Sequence, residues 1–200
     1  MSVSPIRMAL GAHLGQVLTP EIAAAIELAA GFAAPAARTA LPKFASATCG
    51  SLTFQVERFS GILPELHLLH VEHWEQTEEF RHHIPMNPDY VAMARDEDHG
   101  RMVQFTARAG AELVGNLRVY VVLGRHTQTL HAVEDTMYLK PLHRTPRAAL
   151  RFVEFAEKCL RQIGVREIRC TAKLSNNAAR FFEGMGYRPV ATELVKFLKE

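Results

Sequence analysis

Apolar and polar residues alternate along Thr53-Phe-Gln-Val-Glu-Arg-Phe59, the pattern of a half-buried strand, and Ser60-Gly61 closes it. From Leu63 to Thr77 the spacing changes to that of a helix, with Leu66, Leu69, His70, His73 and Trp74 on one stripe. A shorter helix is expected over Pro88–Asp96 with Asn87 as its cap, after a loop in which Pro85 and Pro88 exclude regular structure. Met102–Arg108 and Glu112–Leu123 then read as two strands joined at hairpin spacing by Ala109-Gly110-Ala111, and Ala132–Leu139 as a third. Pro146–Ile163 carries Ala149, Phe152, Val153, Ala156, Leu160 and Ile163 on one face and stops at Gly164, a strong amphipathic helix with its C′ glycine. Arg166–Thr171 is expected as a strand, Asn176–Gly184 as a helix and Tyr187–Leu198 as a closing strand. Hairpins mixed with helical crossovers imply an α/β domain with a mixed, mainly antiparallel sheet flanked by helices.

Residues 1–50 have a different texture. Thr19-Pro20-Glu21 supplies a cap, a proline at the first helical position and an acidic first turn to the Ala-rich run Ile22–Ala30, between two loose segments. An Ala-rich helix has high propensity but little surface to bury, so it needs a partner, either the main domain or another chain. The expected organisation is therefore an N-terminal extension, 1–50, and a domain, 51–200. A chain of 200 residues that is 48% apolar can bury a substantial core.

Lys and Arg number 23 against 21 Asp and Glu, a net charge of +2 with no long basic run, which disfavours nucleic acid as a partner. Cys49, Cys159 and Cys170 lack metal-ligand spacing and are odd in number, the pattern of reduced thiols in the cytoplasm. No apolar run has the length of a signal h-region or a membrane span, so neither secretion nor a membrane partner is expected.

The candidate chemistry lies in three pieces. The loop Leu142-His-Arg-Thr-Pro-Arg-Ala-Ala149 opens a helix, and a helix N-terminus offers unpaired N–H groups and partial positive charge to a phosphate. Pro146 gives up one donor there; the Arg147 guanidinium can offset the loss. Upstream runs the acidic strand Glu134-Asp-Thr-Met-Tyr-Leu139, and downstream Ser175-Asn-Asn-Ala-Ala-Arg-Phe-Phe-Glu-Gly-Met-Gly-Tyr187. His67, His70 and His73, with Glu72 beside them, raise the question of zinc, but their spacing precesses around the helix and nothing nominates a further ligand, so no metal is expected.

Together the three pieces resemble the acetyl-CoA-binding half of the GNAT N-acetyltransferases. The resemblance implies that Met137, Tyr138 and Leu139 offer backbone groups to the pantetheine arm. It sets Arg144-Thr-Pro-Arg-Ala-Ala149 on the family's Arg/Gln-x-x-Gly-x-Gly/Ala loop, placing Arg144, Thr145, Arg147, Ala148 and Ala149 at the diphosphate. Ser175, with Asn176 adjoining, stands where the family has an asparagine, and Phe182 where it has a tyrosine that protonates the leaving thiolate, which a phenyl ring cannot do. Asp135 falls at the family's acidic position and is the expected base; Glu134 faces the other way by strand alternation, so one of the two should enter the cofactor cleft. That cleft should open between the strand ending at Leu139 and the strand Arg166–Thr171.

Arginine at position 147 together with His73-Trp74-Glu75 is similar to a phage-associated subgroup, so a virion location is compatible with the sequence. The implied activity is transfer of acetyl from acetyl-CoA to a primary amine, on a small molecule or a peptide, in a ternary complex. No cysteine stands where the family would use a nucleophile. Two other readings stay open: a GNAT-shaped structural protein that docks through its extension, as a homodimer or in a phage assembly, and an acyl-CoA sensor.

Overall fold

The computed structural model describes residues 10–29, 41–77, 85–174 and 176–196. Helix α1 (Pro20–Ala29) begins where the cap predicts, with Thr19 Oγ1 accepting from the Ile22 amide at 3.3 Å. The sheet strands are β1 (Ala47–Cys49), β2 (Leu52–Val56), β3 (Met102–Ala109), β4 (Glu112–Leu123), β5 (Leu130–Leu139) and β6 (Val165–Arg169). Between β2 and β3 lie α2 (Phe59–Thr77) and α3 (Tyr90–Asp98); α4 (Pro146–Gln162) links β5 to β6, and α5 (Ala178–Gly184) follows. No described helix is long and apolar enough to cross a membrane.

The strands run in the spatial order β1-β2-β3-β4-β5-β6, antiparallel as far as β5, with β6 parallel to β5. A parallel neighbour requires a crossover, and α4 supplies it. Most of β3 and β4 is buried on both faces because helices cover both. On one face Phe54, Phe105, Val119 and Ala132 pack with Phe152, Phe155 and Leu160 of α4, and Phe54 stacks on Phe152 at 5.0 Å between centroids. On the other, Phe59, Leu66 and Leu69 of α2 meet Met102, Leu113 and Tyr138. Helix α4 has the expected termini: Thr145 Oγ1 accepts from the Ala148 amide at 3.1 Å, and Gly164 adopts φ +83°, a conformation that disfavours L side chains.

Four expectations are corrected. The strand predicted over Thr53–Phe59 ends at Val56, and Phe59-Ser60-Gly61 opens α2 instead, because the Glu97 carboxylate accepts from the Phe59 amide at 2.8 Å and caps the helix from 38 residues away. The α3 cap is Asp89, whose side chain accepts from the Ala92 amide, and not Asn87. The sheet gains β1 within the stretch expected as extension, paired to β2 through Ala47 and Phe54. The closing strand does not form over 187–196, where Val190, Leu194 and Val195 are exposed; the rest of it lies outside the described residues.

Pairing between β5 and β6 runs from Leu130 with Val165 to Val133 with Arg169 and then stops. Beyond that point the two strands part, as the sequence led one to expect, while β5 keeps its register with β4 as far as Leu139 opposite Gly115.

Candidate active site

The parting of β5 from β6 leaves a pocket of about 310 Å³, open part included, roofed by Val153, Ala156 and Leu160 of α4 and closed by Phe182 and Tyr187. Met137 and Ile168 form its strand walls. The Lys140 amide donates to Val114 O at 2.8 Å, so by antiparallel alternation residues 136, 138 and 140 direct their peptide groups to β4. Met137 and Leu139 then direct theirs to the opposite edge, from which β6 has withdrawn. Arg144 Nε occupies one of these groups, donating to Leu139 O at 2.9 Å.

A bulge decides what the two acids do. Arg118 pairs with Thr136 and Val119 with Glu134, so Asp135 is the extra residue of β5. Glu134 lines the pocket and accepts from the Thr171 amide at 3.4 Å. Asp135 turns to the α2 face, where Oδ2 receives both Nε (2.8 Å) and Nη2 (2.7 Å) of Arg118. Of the two expected catalytic acids, therefore, the structure brings Glu134 to the opening and binds Asp135 into an ion pair.

Arg118 is itself buried and reaches further. Its Nη1 lies 3.3 Å from His70 Nε2, and His70 Nδ1 lies 3.1 Å from Tyr90 Oη. A guanidinium can only donate, so Nε2 must accept and Nδ1 must carry the proton toward Tyr90. Burial, and then the charge of Arg118, push the His70 imidazole down to about 3, which keeps it neutral. His67 Nδ1 takes the other side of Tyr90 Oη at 3.1 Å, and His73 Nδ1 sits 3.0 Å from Thr136 Oγ1. The three histidines thus serve a polar network; among the described residues no group of three or more His, Cys, Asp or Glu is arranged to hold a metal ion.

At the expected phosphate loop, most of the donors are already engaged. Pro146 has no N–H, the Ala148 amide goes to the Thr145 hydroxyl, and the Ala149 amide goes to Thr145 O at 3.0 Å. Arg147 carries the one amide of this first turn for which the described residues provide no acceptor. Arg144 folds back over the Tyr138 ring, 5.1 Å from its centroid, and also donates to Gln76 Oε1 at 3.3 Å. The Tyr138 hydroxyl donates to Glu72 at 2.7 Å; burial first, and then this bond, push it up to about 12. The Arg147 side chain faces neither Arg144 nor the pocket, but the far flank of α4.

Ser175 lies outside the described residues. Asn176 Oδ1 accepts from the Ala178 amide at 2.9 Å and so starts α5, leaving the side chain exposed and engaged with its own turn. Phe182 is buried against Tyr187, 5.1 Å between centroids, in the pocket wall. Tyr187, Glu157 and Cys170, which sequence reasoning did not nominate, line the same pocket. The Tyr187 hydroxyl donates to Glu157 Oε1 at 2.9 Å, and burial with the Glu157 charge pushes it well above the usual phenol range. Its proton is committed to a carboxylate, which argues against an acid role. Burial and Glu134 push the Cys170 thiol up to about 11, unlike a nucleophile. Tyr187 was legible as the aromatic after Gly186; Glu157, mid-helix on an amphipathic pattern, gave no signal.

The sequence matches no family model and no curated protein. Solved structures do match. An aminoglycoside acetyltransferase from an uncultured soil metagenomic sample, described in complex with sisomicin, superposes with a TM-score of 0.58 at 14% identity, over 76% of this chain and 97% of its own. A ribosomal-protein-alanine N-acetyltransferase from Brucella melitensis gives 0.56 at 13%, over 73% and 99%. A transcriptional regulator from Bacillus halodurans gives 0.58 at 19%, over 74% and 99%. At these identities the likeness is one of fold: the splayed, mostly antiparallel sheet flanked by helices is the GNAT acetyltransferase fold.

Proposed function

We propose that this chain is an N-acetyltransferase that moves acetyl from acetyl-CoA to a primary amine by direct attack, with Glu134 as general base. The observation that carries the reading is the parting of β5 from β6 beyond Val133 and Arg169, which exposes the Met137 edge beside an apolar pocket holding one strand carboxylate, Glu134. The arrangement offers a pantetheine arm peptide groups on one side for its amides and apolar walls on the other for its methylenes, and the pocket, with only about 20 Å³ of free space, must widen to admit it. Acetyl-CoA supplies the activated acetyl group.

The chain's own residues do the rest. The edge of β5 orients the arm, Glu134 takes the proton an ammonium acceptor must lose before its nitrogen can attack, and α4 with Phe182 excludes water. Asp135, spent on Arg118, shapes the α2 side of the opening. With Phe182 in place of a phenol and the Tyr187 proton held by Glu157, the thiolate departs as the anion and takes its proton from bulk solvent once released. The measured steps are thiol release dependent on both acetyl-CoA and an amine, across a panel of amines. Release that depends on the amine supports the reading; acetyl-CoA binding with no transfer to any amine favours a sensor.

A further inference from the structure

Without the bulge, the register set by Val119 opposite Glu134 would place Asp135 opposite Arg118 and Thr136 opposite Leu117. Every side chain from Thr136 to Leu139 would then change faces, because a slip of one residue reverses a strand. Met137 would leave the splay pocket and Tyr138 would leave α2. The extra residue must therefore be held out of the ladder.

The two halves of β5 are held by different bonds. Beyond the bulge, the Tyr138 hydroxyl donates to Glu72 at 2.7 Å, Thr136 Oγ1 lies 3.0 Å from His73 Nδ1, and the Lys140 amide donates to Val114 O at 2.8 Å. The bulged residue is held by Arg118, whose Nε and Nη2 converge on one oxygen, Asp135 Oδ2, at 2.8 and 2.7 Å. The guanidinium is anchored in turn. Its Nη1 lies 3.3 Å from His70 Nε2, and it sits 6.0 Å from the centroid of Phe59, the residue whose amide Glu97 of α3 caps. Behind His70 stands Tyr90 of α3, with Oη 3.1 Å from Nδ1. Helices α2 and α3 thus fix Arg118, and Arg118 fixes Asp135. Glu134, one peptide away, takes its direction from that anchor, while on the pocket side its bond from the Thr171 amide is long, at 3.4 Å.

We propose that Arg118 is a positioning residue for the transfer reaction: it pins the bulge from the α2 face and so aims the Glu134 carboxylate into the splay pocket on the other. Arg118 does not line that pocket itself. The inference rests on the reading of Glu134 as general base. A misplacement of about 1 Å at a reacting group costs up to about 100-fold in rate. Loss of the pin should therefore slow transfer, whereas acetyl-CoA binding, served by the strand edge beyond the bulge, should change little.

The test compares amine-dependent thiol release and acetyl-CoA affinity in wild type, Arg118→Met and Arg118→Lys, with melting curves to show that each is folded. Because both bonds to Asp135 end on one oxygen, a lysine ammonium can supply the charge and a donor there. Arg118→Met is expected to lose about tenfold or more in kcat, with KM for the amine and the acetyl-CoA dissociation constant within about threefold, and Arg118→Lys to recover most of the loss. The double variant Arg118→Met/Asp135→Asn leaves no charge without its partner, so it can fold if Arg118→Met does not, and it should show the same loss in kcat. A kcat within about threefold of wild type in a folded Met variant, equal losses in Arg118→Lys and Arg118→Met, or a loss confined to KM or affinity overturns the proposal; the base assignment then still stands if Glu134→Gln is slow. Failure of both Met variants to fold marks Arg118 as purely structural and overturns it too. Wild type with no amine-dependent release refutes the acetyltransferase reading, and the proposal falls with it.

Discussion

Glu134 and Asp135 are neighbours in sequence, yet the bulge gives them separate tasks, and two isosteric substitutions separate those tasks. In Asp135→Asn the Arg118 guanidinium, with only 6% of its side chain exposed, keeps a hydrogen-bond acceptor but loses its counter-charge. Removing one partner of a fully buried pair costs about 3–5 kcal/mol. Asp135 is 36% exposed, so solvent screens the interaction, and the expected cost is about 1–2 kcal/mol. For a domain of this size that lowers Tm by about 2–8 °C. Transfer, which does not use this carboxylate, should stay within about threefold of wild type. Glu134→Gln should lower the rate about 100-fold or more at saturating acetyl-CoA while leaving its affinity within about threefold. Thiol release at saturating amine gives the rates, calorimetry the affinities and scanning calorimetry the Tm. If Asp135→Asn abolishes transfer with Tm unmoved while Glu134→Gln transfers normally, the base is Asp135 and the assignment from the bulge is wrong.

Three further expectations follow from local geometry. His70 stays neutral in the folded chain down to about 3, whereas an unfolded imidazole protonates near 6.5; between those values the unfolded state binds the extra proton, so stability falls as pH falls, by about 1.4 kcal/mol per pH unit at most. Urea unfolding of wild type and His70→Gln at pH 7.5 and pH 5 checks this, and the variant, which cannot titrate, should lose about 2 kcal/mol less. A Cβ on Gly115 would lie 2.4 Å from Leu139 Cδ2 and 2.8 Å from Tyr138 O, and the backbone carbonyl cannot retreat without opening β4 from β5, so Gly115→Ala should cost about 2–3 kcal/mol in the same unfolding assay. Phe182→Tyr adds a hydroxyl to a wall of the pocket that Glu134 and Cys170 also line; transfer should be at least as fast as in wild type, and a loss greater than about tenfold would show that the ring has no room for it.

What could be read from the sequence follows the range of the interactions. Helix α4 was legible because its cap, its N1 proline, its apolar stripe and its terminal glycine are all local, and the β3–β4 hairpin because Gly110, at φ +61°, and the alternating flanks are local too. The start of α2 was not, since its cap comes from Glu97, and without that carboxylate Phe59-Ser-Gly reads as the end of a strand. The bulge was invisible for a similar reason: strict alternation sends Glu134 and Asp135 to opposite faces, but it does not reveal that Asp135 is the unpaired residue or that Arg118 waits for it across the β4–β5 ladder. The helix start at Thr145-Pro146 was legible, but the side to which Arg147 turns depends on its place on the α4 surface relative to Phe44–Gly50, a segment about a hundred residues away.

Titration of the full chain with acetyl-CoA, followed by the shift in unfolding free energy, tests the central claim most directly. At about 100 times the dissociation constant a ligand that binds only the folded state adds about 2.7 kcal/mol, and the account predicts that gain together with saturable heat at one site per chain. No shift and no heat at millimolar acetyl-CoA would contradict it, and would leave the splay between β5 and β6 as a feature of the fold alone.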